Sequence, residues 1–222
     1  MRLIRDKISA AMRARRAALL RELIDSCSPR RERLSILDIG GKSGYWRNVG
    51  YDFLLEQRVH ITLANYHESE LAASPGEPEG LFSRIVADGC NLRLPDRHFD
   101  LCHSNSVIEH VGDWRKMQAF ASEMMRVASA IYCQTPNFDF PIDPHFPSVP
   151  LIHRMPLGVR ARLVTWFPIP YGGRADDLTT GYKVADSSRM LKRHQMVALF
   201  PGLQIVDEKV FGLTKSFIAI RT

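Results

Sequence analysis

The chain has 222 residues, 45% of them hydrophobic and 24% charged, a composition that excludes global disorder. This length predicts one domain with at most a small appendage. No apolar run reaches the roughly 18–20 residues of a membrane span. Arginines interrupt the apolar residues near the N-terminus, so we expect no secretory signal.

The positive charge of the chain is concentrated at its N-terminus. The formal net charge is +6; residues 1–33 contain 10 Lys or Arg and 4 acids, whereas residues 34–222 contain 20 of each. Bulk charge therefore does not predict a nucleic-acid-binding surface on the body of the protein. An electrostatic partner would meet residues 1–33.

The cysteines give an expectation about the compartment. The four cysteines, Cys27, Cys90, Cys102 and Cys133, form no CxxC pair and show no metal-ligand spacing. This pattern favours small buried thiols in a reducing compartment, so we expect a cytoplasmic protein.

Helix and strand patterns alternate along the first half of the chain. Residues 3–27 carry apolar side chains near helical spacing and predict a helix that ends before Pro29. Apolar runs predict strands at 34–39, 59–65, 81–87 and 99–104, with a helical or irregular piece at 45–57. The run Gly40-Gly41-Lys42-Ser43-Gly44 follows the first strand directly.

The second half continues the alternation and ends on two strands. Asp113 is the predicted N-cap of a helix that reaches about residue 128. Further segments are a strand at 130–134, a Pro- and aromatic-rich segment from 135 to about 170, a helix at 187–200, and strands at 203–210 and 216–220. The order predicts an α/β fold in which a mostly parallel sheet is covered by helices on both faces. The last two strands have no helix between them and should pair antiparallel.

Polar residues and glycines end three successive predicted strands. A Gly-rich turn at 40–44 lets a ligand approach backbone amides. Asn65 ends the second strand and Asp88-Gly89 ends the third. Because the carboxyl ends of parallel strands share one edge, these positions predict a site for one extended ligand, with its tail at the turn, its ribose at strand two and its base at strand three.

Three stretches resemble the class I S-adenosylmethionine-dependent methyltransferases. Residues 36–44 (ILDIGGKSG) resemble the first motif of that family, residues 87–100 the stretch that ends on the adenine, and residues 104–111 (SNSVIEHV) the fourth motif of its small-molecule branch. The likeness covers about residues 34–135 in motifs and reaches the C-terminus in element order. It implies a seven-stranded Rossmann-like methyltransferase domain over 34–222, with a substrate or lid insertion at about 136–186 and a basic helical segment at 1–33.

The resemblance also implies a cofactor, S-adenosylmethionine, and its contacts. These are Asp38, Gly40, Gly41 and Gly44 near the methionine and ribose, Asn65 at the ribose hydroxyls, Asp88, Gly89 and Cys90 at the adenine, and Ser104 and Asn105 beside the methionine. Two positions depart from the family pattern. Lys42 stands where the family has a glycine, and Asn65 stands where an acid is usual, which gives up a charge-assisted hydrogen bond unless Glu68 substitutes.

The expected activity is methyl transfer to an oxygen or nitrogen of a small-molecule acceptor, with saccharides and natural products as candidates. His145 is the predicted general base; the alternative is a loop histidine bonded to backbone. His110 is expected to be structural, and Asp139 and Asp143 to be solvated loop acids. Since no His/Asp cluster has ligand spacing, we expect no metal. Six aromatic side chains are predicted to line an apolar substrate pocket: Phe138, Phe140, Phe146, Trp166, Phe167 and Tyr171.

Other functions stay open. One is an RNA or protein methyltransferase that docks through the basic N-terminal helix, and another is a non-catalytic S-adenosylmethionine-binding module, suggested by Lys42 and Asn65. An NAD-linked oxidoreductase is disfavoured because the turn is not GxGxxG and residue 65 is not acidic. Residues 104–107 lack the Asn/Asp-Pro-Pro-aromatic run of the nucleobase aminomethyltransferases. The oligomeric state is not predicted.

Overall fold

The computed structural model describes residues 2–27, 32–170 and 173–222. The helices are α1 (Arg2–Cys27), α2 (Ser43–Trp46), α3 (Tyr51–Glu56), α4 (Trp114–Val127), α5 (Leu157–Trp166), α6 (Leu178–Ala185) and α7 (Arg193–Leu199). The strands are β1 (Leu34–Ile39), β2 (Val59–Asn65), β3 (Phe82–Val86), β4 (Phe99–Asn105), β5 (Ala128–Pro136), β6 (Gln204–Val210) and β7 (Leu213–Arg221).

The seven strands form one sheet in the order β3-β2-β1-β4-β5-β7-β6. The first five strands are parallel, whereas β7 runs antiparallel to both β5 and β6. The predicted fold class is therefore confirmed. The strand order reverses between β1 and β4, and ligands of such sheets bind outside the carboxyl ends of the strands at this point.

Apolar side chains cover both faces of the sheet. On one face, Phe120 and Met124 of α4 and Leu199 of α7 pack into a buried cluster. Asp113 begins α4 as predicted, since its side chain accepts a hydrogen bond of 3.0 Å from the Lys116 amide. On the other face, side chains of α1, α2 and α3 form a second buried cluster.

The basic N-terminal helix is part of this second core. Leu20 and Ile24 of α1 are fully buried in it. Arg16 points inward and its Nη2 atom lies 2.7 Å from Glu208 Oε2 on β6. Arg21 Nε donates to the Val49 carbonyl at 2.6 Å. Arg16 therefore holds the helix against the sheet, whereas the exposed Arg21 ties it to the segment between α2 and α3.

The second half of the chain differs from the predicted elements at two places. No helix was predicted within the insertion, which contains α5 and α6, and these pack together over a small separate core. Its members include Phe146, Ile152 and Val164. The helix predicted at 187–200 begins only at Arg193, because Leu191 forms a parallel bridge with Asn137. A tertiary backbone pairing therefore replaces the first turns that helical spacing suggested.

Within the described ranges, none of the helices combines the length and the apolar character that crossing a membrane requires.

Candidate cofactor and acceptor site

A cleft of about 440 Å³ opens at the carboxyl ends of β1, β2 and β3. Its lining comes from these three strand ends, from the segment that follows β4 and from α4: Ile39, Gly40, Ala64, Asn65, Tyr66, Ala87, Asp88, Gly89, Cys90, Val107, His110, Val111, Lys116 and Phe120. Five of the ten predicted cofactor residues are in this lining: Gly40, Asn65, Asp88, Gly89 and Cys90.

Glycine is required by space at the turn after β1. Gly40 has a φ of +74°, and a Cβ there would overlap the side chain of Val107. A Cβ on Gly41 would overlap the carboxylate of Asp38, which lies directly beneath it. The backbone of the turn is therefore bare toward the cleft and supported from below.

Asp38 supports the turn from within the core and does not line the cleft. It is fully buried, and its Oδ2 accepts from Trp46 Nε1 at 2.8 Å. Its Oδ1 lies 2.6 Å from Nδ1 of the buried His103. Sequence reasoning missed Trp46 and His103, because neither belongs to a recognisable motif and both reach Asp38 only through packing.

The ends of β2 and β3 complete the cleft. Asn65 Nδ2 donates to the Gly41 carbonyl at 2.8 Å, so this amide ties the second strand to the turn. Asp88 Oδ1 accepts from the Cys90 amide at 2.8 Å, which holds the turn after β3. A Cβ on Gly89 would overlap Phe120 and Ile39. Burial raises the pKa of the Cys90 thiol to about 11, so this side chain stays protonated near neutral pH.

The two departures from the family pattern have different outcomes. Lys42 points away from the cleft, since its Nζ lies 2.6 Å from Glu70 Oε2 on the protein surface. Asn65 lines the cleft, and its Nδ2 atom already donates to the Gly41 carbonyl, which leaves only its Oδ1 for the predicted ribose contact. Glu68, the substitute considered for the missing acid, is not part of the cleft lining.

Besides Asp38, four predicted cofactor residues lie outside the cleft lining: Gly41, Gly44, Ser104 and Asn105. The Gly44 amide donates to Ser74 Oγ at 3.0 Å. Ser104 is fully buried, and its hydroxyl donates to the Ile39 carbonyl at 3.1 Å, which joins β4 to β1. Asn105 Oδ1 accepts from Arg16 Nη1 at 3.2 Å.

The predicted base, His145, lies beside the cleft through its contact with His110. The Nε2 atoms of the two rings are 3.0 Å apart, and His110 itself lines the cleft. His145 Nδ1 lies 2.7 Å from Asp143 Oδ1. The expectation of a solvated acid is therefore wrong for Asp143, which is 1% exposed, whereas Asp139 is exposed as expected. His110 is exposed and not packed in the core, and its Nδ1 atom lies 2.8 Å from the Ser187 carbonyl.

Glu109 is buried next to these histidines. Its Oε2 accepts from Thr135 Oγ1 at 2.9 Å, while Oε1 has no hydrogen-bond partner among the described residues. Burial raises the pKa of Glu109 to about 7. One side-chain ligand atom from each of Glu109, His110 and His145 lies within 4.8 Å of the other two. Spacing along the chain could not reveal this cluster, since 35 residues separate the two histidines.

The aromatic residues predicted for a substrate pocket do not meet in one place. Phe146 is buried in the separate core of the insertion. Trp166 and Phe167 are 64% and 53% exposed. Tyr171 lies outside the described residues.

Comparisons with known proteins agree with this fold. A family model described as "Methyltransferase domain" matches residues 12–170. A solved S-adenosylmethionine-dependent methyltransferase from Mesorhizobium loti is similar at 15% identity and a TM-score of 0.54, over 90% of this chain and 95% of that chain. A protein from Pyrococcus horikoshii OT3 is similar at 15% identity and a TM-score of 0.53, over 86% and 82%. No curated protein matches the chain.

Proposed function

Because this chain belongs to the class I S-adenosylmethionine-dependent methyltransferases, we propose that it transfers the methyl group of that cofactor to an oxygen or nitrogen nucleophile of a small-molecule acceptor. The observation that supports the proposal most is the cleft at the ends of β1, β2 and β3. Gly40 and Gly89 leave its backbone bare at places where a side chain would not fit, and Gly41 packs closely against Asp38 beside them.

The residues of the cleft fit the cofactor by the chemistry of their donors and acceptors. The Gly40-Gly41 backbone is assigned to the methionine and ribose, and Asn65 Oδ1 is the remaining amide acceptor for a ribose hydroxyl. Asp88 keeps one carboxylate oxygen beyond the one that accepts from Cys90, and this oxygen is assigned to the adenine amine. The apolar side chains of Ile39 and Phe120 flank the same region.

Bound S-adenosylmethionine supplies an already activated methyl group. The protein therefore has to align the acceptor and exclude water, and it has to remove a proton only from a nucleophile of high pKa. We assign activation of the nucleophile to His145. Asp143 orients the His145 ring, and the Nε2 atom of His145 lies 3.0 Å from the Nε2 atom of His110, which lines the cleft.

A small acceptor is favoured over RNA by the position of Arg16 on α1. This arginine turns into the protein and pairs with Glu208, which removes its charge from any surface for a polyanion. The stretch 104–111 supplies Val107, His110 and Val111 to the cleft, whereas Ser104 and Asn105, which the resemblance assigns to the methionine, are not part of its lining.

The four cysteines are unpaired, which supports a cytoplasmic location.

Calorimetric titration with S-adenosylhomocysteine, followed by a methyl-transfer screen, tests the proposal. We expect one binding site per chain and transfer to hydroxyl- or amine-bearing small molecules. Transfer to RNA that falls steeply with salt would instead support the docking alternative. Binding without transfer to any acceptor would support a non-catalytic module.

A further inference from the structure

The Glu109, His110 and His145 side chains form a cluster that methyl transfer by alignment alone does not require. Two of its rings have fixed orientations. His110 Nδ1 lies 2.8 Å from the Ser187 carbonyl, which only accepts, so this nitrogen carries the hydrogen. His145 Nδ1 in the same way donates to the Asp143 carboxylate.

These orientations direct two acceptor nitrogens toward each other. With hydrogen on each Nδ1, both neutral rings direct a lone pair from Nε2, and the two Nε2 atoms are 3.0 Å apart. Two facing lone pairs at this distance repel each other, so the pair needs a positive centre. Nitrogen ligands bound at about 2.0–2.1 Å to one zinc ion lie about 3.3 Å apart, close to the separation seen here.

Glu109 supplies a third ligand atom and the negative charge. Its side chain is 1% exposed, and its Oε1 has no hydrogen-bond partner among the residues that the structure describes. An unpartnered carboxyl oxygen in the interior is costly. The Thr135 hydroxyl occupies the other oxygen and fixes the orientation of the carboxyl group.

We propose that Glu109, His110 and His145 bind a divalent transition-metal ion at the edge of the cofactor cleft. Two imidazoles and one carboxylate suit Zn²⁺, Fe²⁺ or Mn²⁺ better than Mg²⁺, which prefers oxygen ligands. The Asp143 carboxylate and the Ser187 carbonyl hold the outer nitrogens of the two histidines, as outer partners do in known metal sites. This inference replaces the expectation of no metal, which considered only spacing along the sequence.

The role of the ion rests on the proposed function. Three protein ligands leave a coordination position open. A hydroxyl of the acceptor bound there loses its proton to water: the O–H bond breaks, the electron pair stays on the oxygen, and the ion stabilises that charge. The site therefore selects acceptors with an oxygen nucleophile, and His145 then acts as a ligand of the ion in place of the base that takes the proton.

Titration of the chelator-treated protein with Zn²⁺, and separately with Co²⁺ followed by visible absorption, tests the site without any acceptor. We expect one ion per chain, and a Co²⁺ spectrum typical of nitrogen and oxygen ligands. His110→Ala and His145→Ala should each weaken binding at least 100-fold, and Glu109→Gln at least tenfold. Asp143→Asn should weaken binding by about 10–100-fold, since that residue only positions His145.

His194→Ala is the matched control. His194 is exposed on α7 and away from the cluster, so its removal should leave zinc binding unchanged. Calorimetry with S-adenosylhomocysteine on each variant shows whether the fold and the cofactor cleft are intact. Absence of stoichiometric metal binding by the unaltered protein would overturn the proposal, as would binding that survives both histidine substitutions. Either result, with cofactor binding retained, would leave the proposed methyltransferase function standing.

Discussion

At the turn after β1, the strongest constraint on a single residue is steric. The place of a Cβ on Gly41 is taken by Asp38, and that carboxylate is fixed in turn by Trp46 and His103. A buried acid with two hydrogen bonds has little room to move. Gly41 is therefore required for the packing between the turn and the core beneath it.

Gly41→Ala should reduce both stability and cofactor affinity. We expect a loss of about 1–3 kcal/mol in the free energy of unfolding, because the methyl group overpacks a fixed neighbour. Thermal unfolding with and without S-adenosylhomocysteine measures both effects. Gly80→Ala is the control. Its φ of +74° should cost about 1–2 kcal/mol of stability, but open space surrounds it, so cofactor affinity should not change. Normal cofactor affinity of Gly41→Ala would contradict the assigned role of the turn.

The contact with the adenine is assigned to the Asp88 carboxylate. Asp88→Ala should weaken binding of S-adenosylhomocysteine by about 1–3 kcal/mol, the cost of leaving a polar partner unsatisfied. Asp88→Asn retains an acceptor for the Cys90 amide and therefore separates loss of the turn from loss of the ligand contact. Calorimetry on both variants, with the exposed Asp176→Ala as control, measures the effect. A dissociation constant unchanged in both Asp88 variants would show that the adenine binds elsewhere.

At the scale of elements, the placement of α1 depends on a largely buried ion pair. The side chains of Arg16 and Glu208 are 14% and 10% exposed, and Ser216 also donates to Glu208 at 2.6 Å. The acidic partner is on β6, 192 residues away along the chain. The helix and the C-terminal strand pair should therefore be lost or retained together.

Arg16→Met should destabilise the protein by about 3–5 kcal/mol, because it leaves the carboxylate of Glu208 buried without its partner. Chemical denaturation measures the change. The double variant Arg16→Met with Glu208→Leu should recover part of the loss, since no unpaired charge remains. Arg15→Ala removes a neighbouring exposed charge and should change stability by less than about 0.5 kcal/mol. An equal loss of stability in Arg16→Met and Arg15→Ala would mean that net charge, and not this ion pair, is responsible.

At the scale of the whole molecule, the two halves of the site rest on different cores. The cofactor cleft stands on the ends of β1, β2 and β3, whereas His145 precedes Phe146, which is buried in the separate core of the insertion. The insertion also returns to the site at its far end, where the Arg189 amide donates to the Glu109 carbonyl at 2.7 Å. Cofactor binding and acceptor activation should therefore be separable.

Phe146→Ala should loosen the insertion and leave the sheet intact. Removing a buried phenylalanine costs about 3–5 kcal/mol, and the loss should fall on the small core. Hydrogen exchange should show faster exchange over α5 and α6, with β1 to β5 protected and affinity for S-adenosylhomocysteine retained. Phe167→Ala, on an exposed side chain, is the control. Uniform deprotection of the sheet would show that the two cores unfold as one.

The sequence alone determined the sheet and the position of the cleft at the ends of its strands. Uninterrupted apolar runs predict strands buried on both faces, and β2 was predicted at its observed bounds. Glycines and polar residues at three strand ends are local features that can be identified residue by residue, which is why Gly40, Asn65 and Asp88 could be placed together. The helices of the insertion escaped prediction because its prolines and aromatics resemble a loop locally, while packing between α5 and α6 decides their structure.

Only the tertiary structure decided what surrounds those positions. Asp38 with Trp46 and His103, Arg16 with Glu208, and Glu109 with His110 and His145 are contacts between segments that local patterns do not connect. Each contact depends on strand order and on the angle at which a loop returns to the sheet. Side-chain convergence of this kind follows from the free energy of the packed chain as a whole, and no window of neighbouring residues contains it.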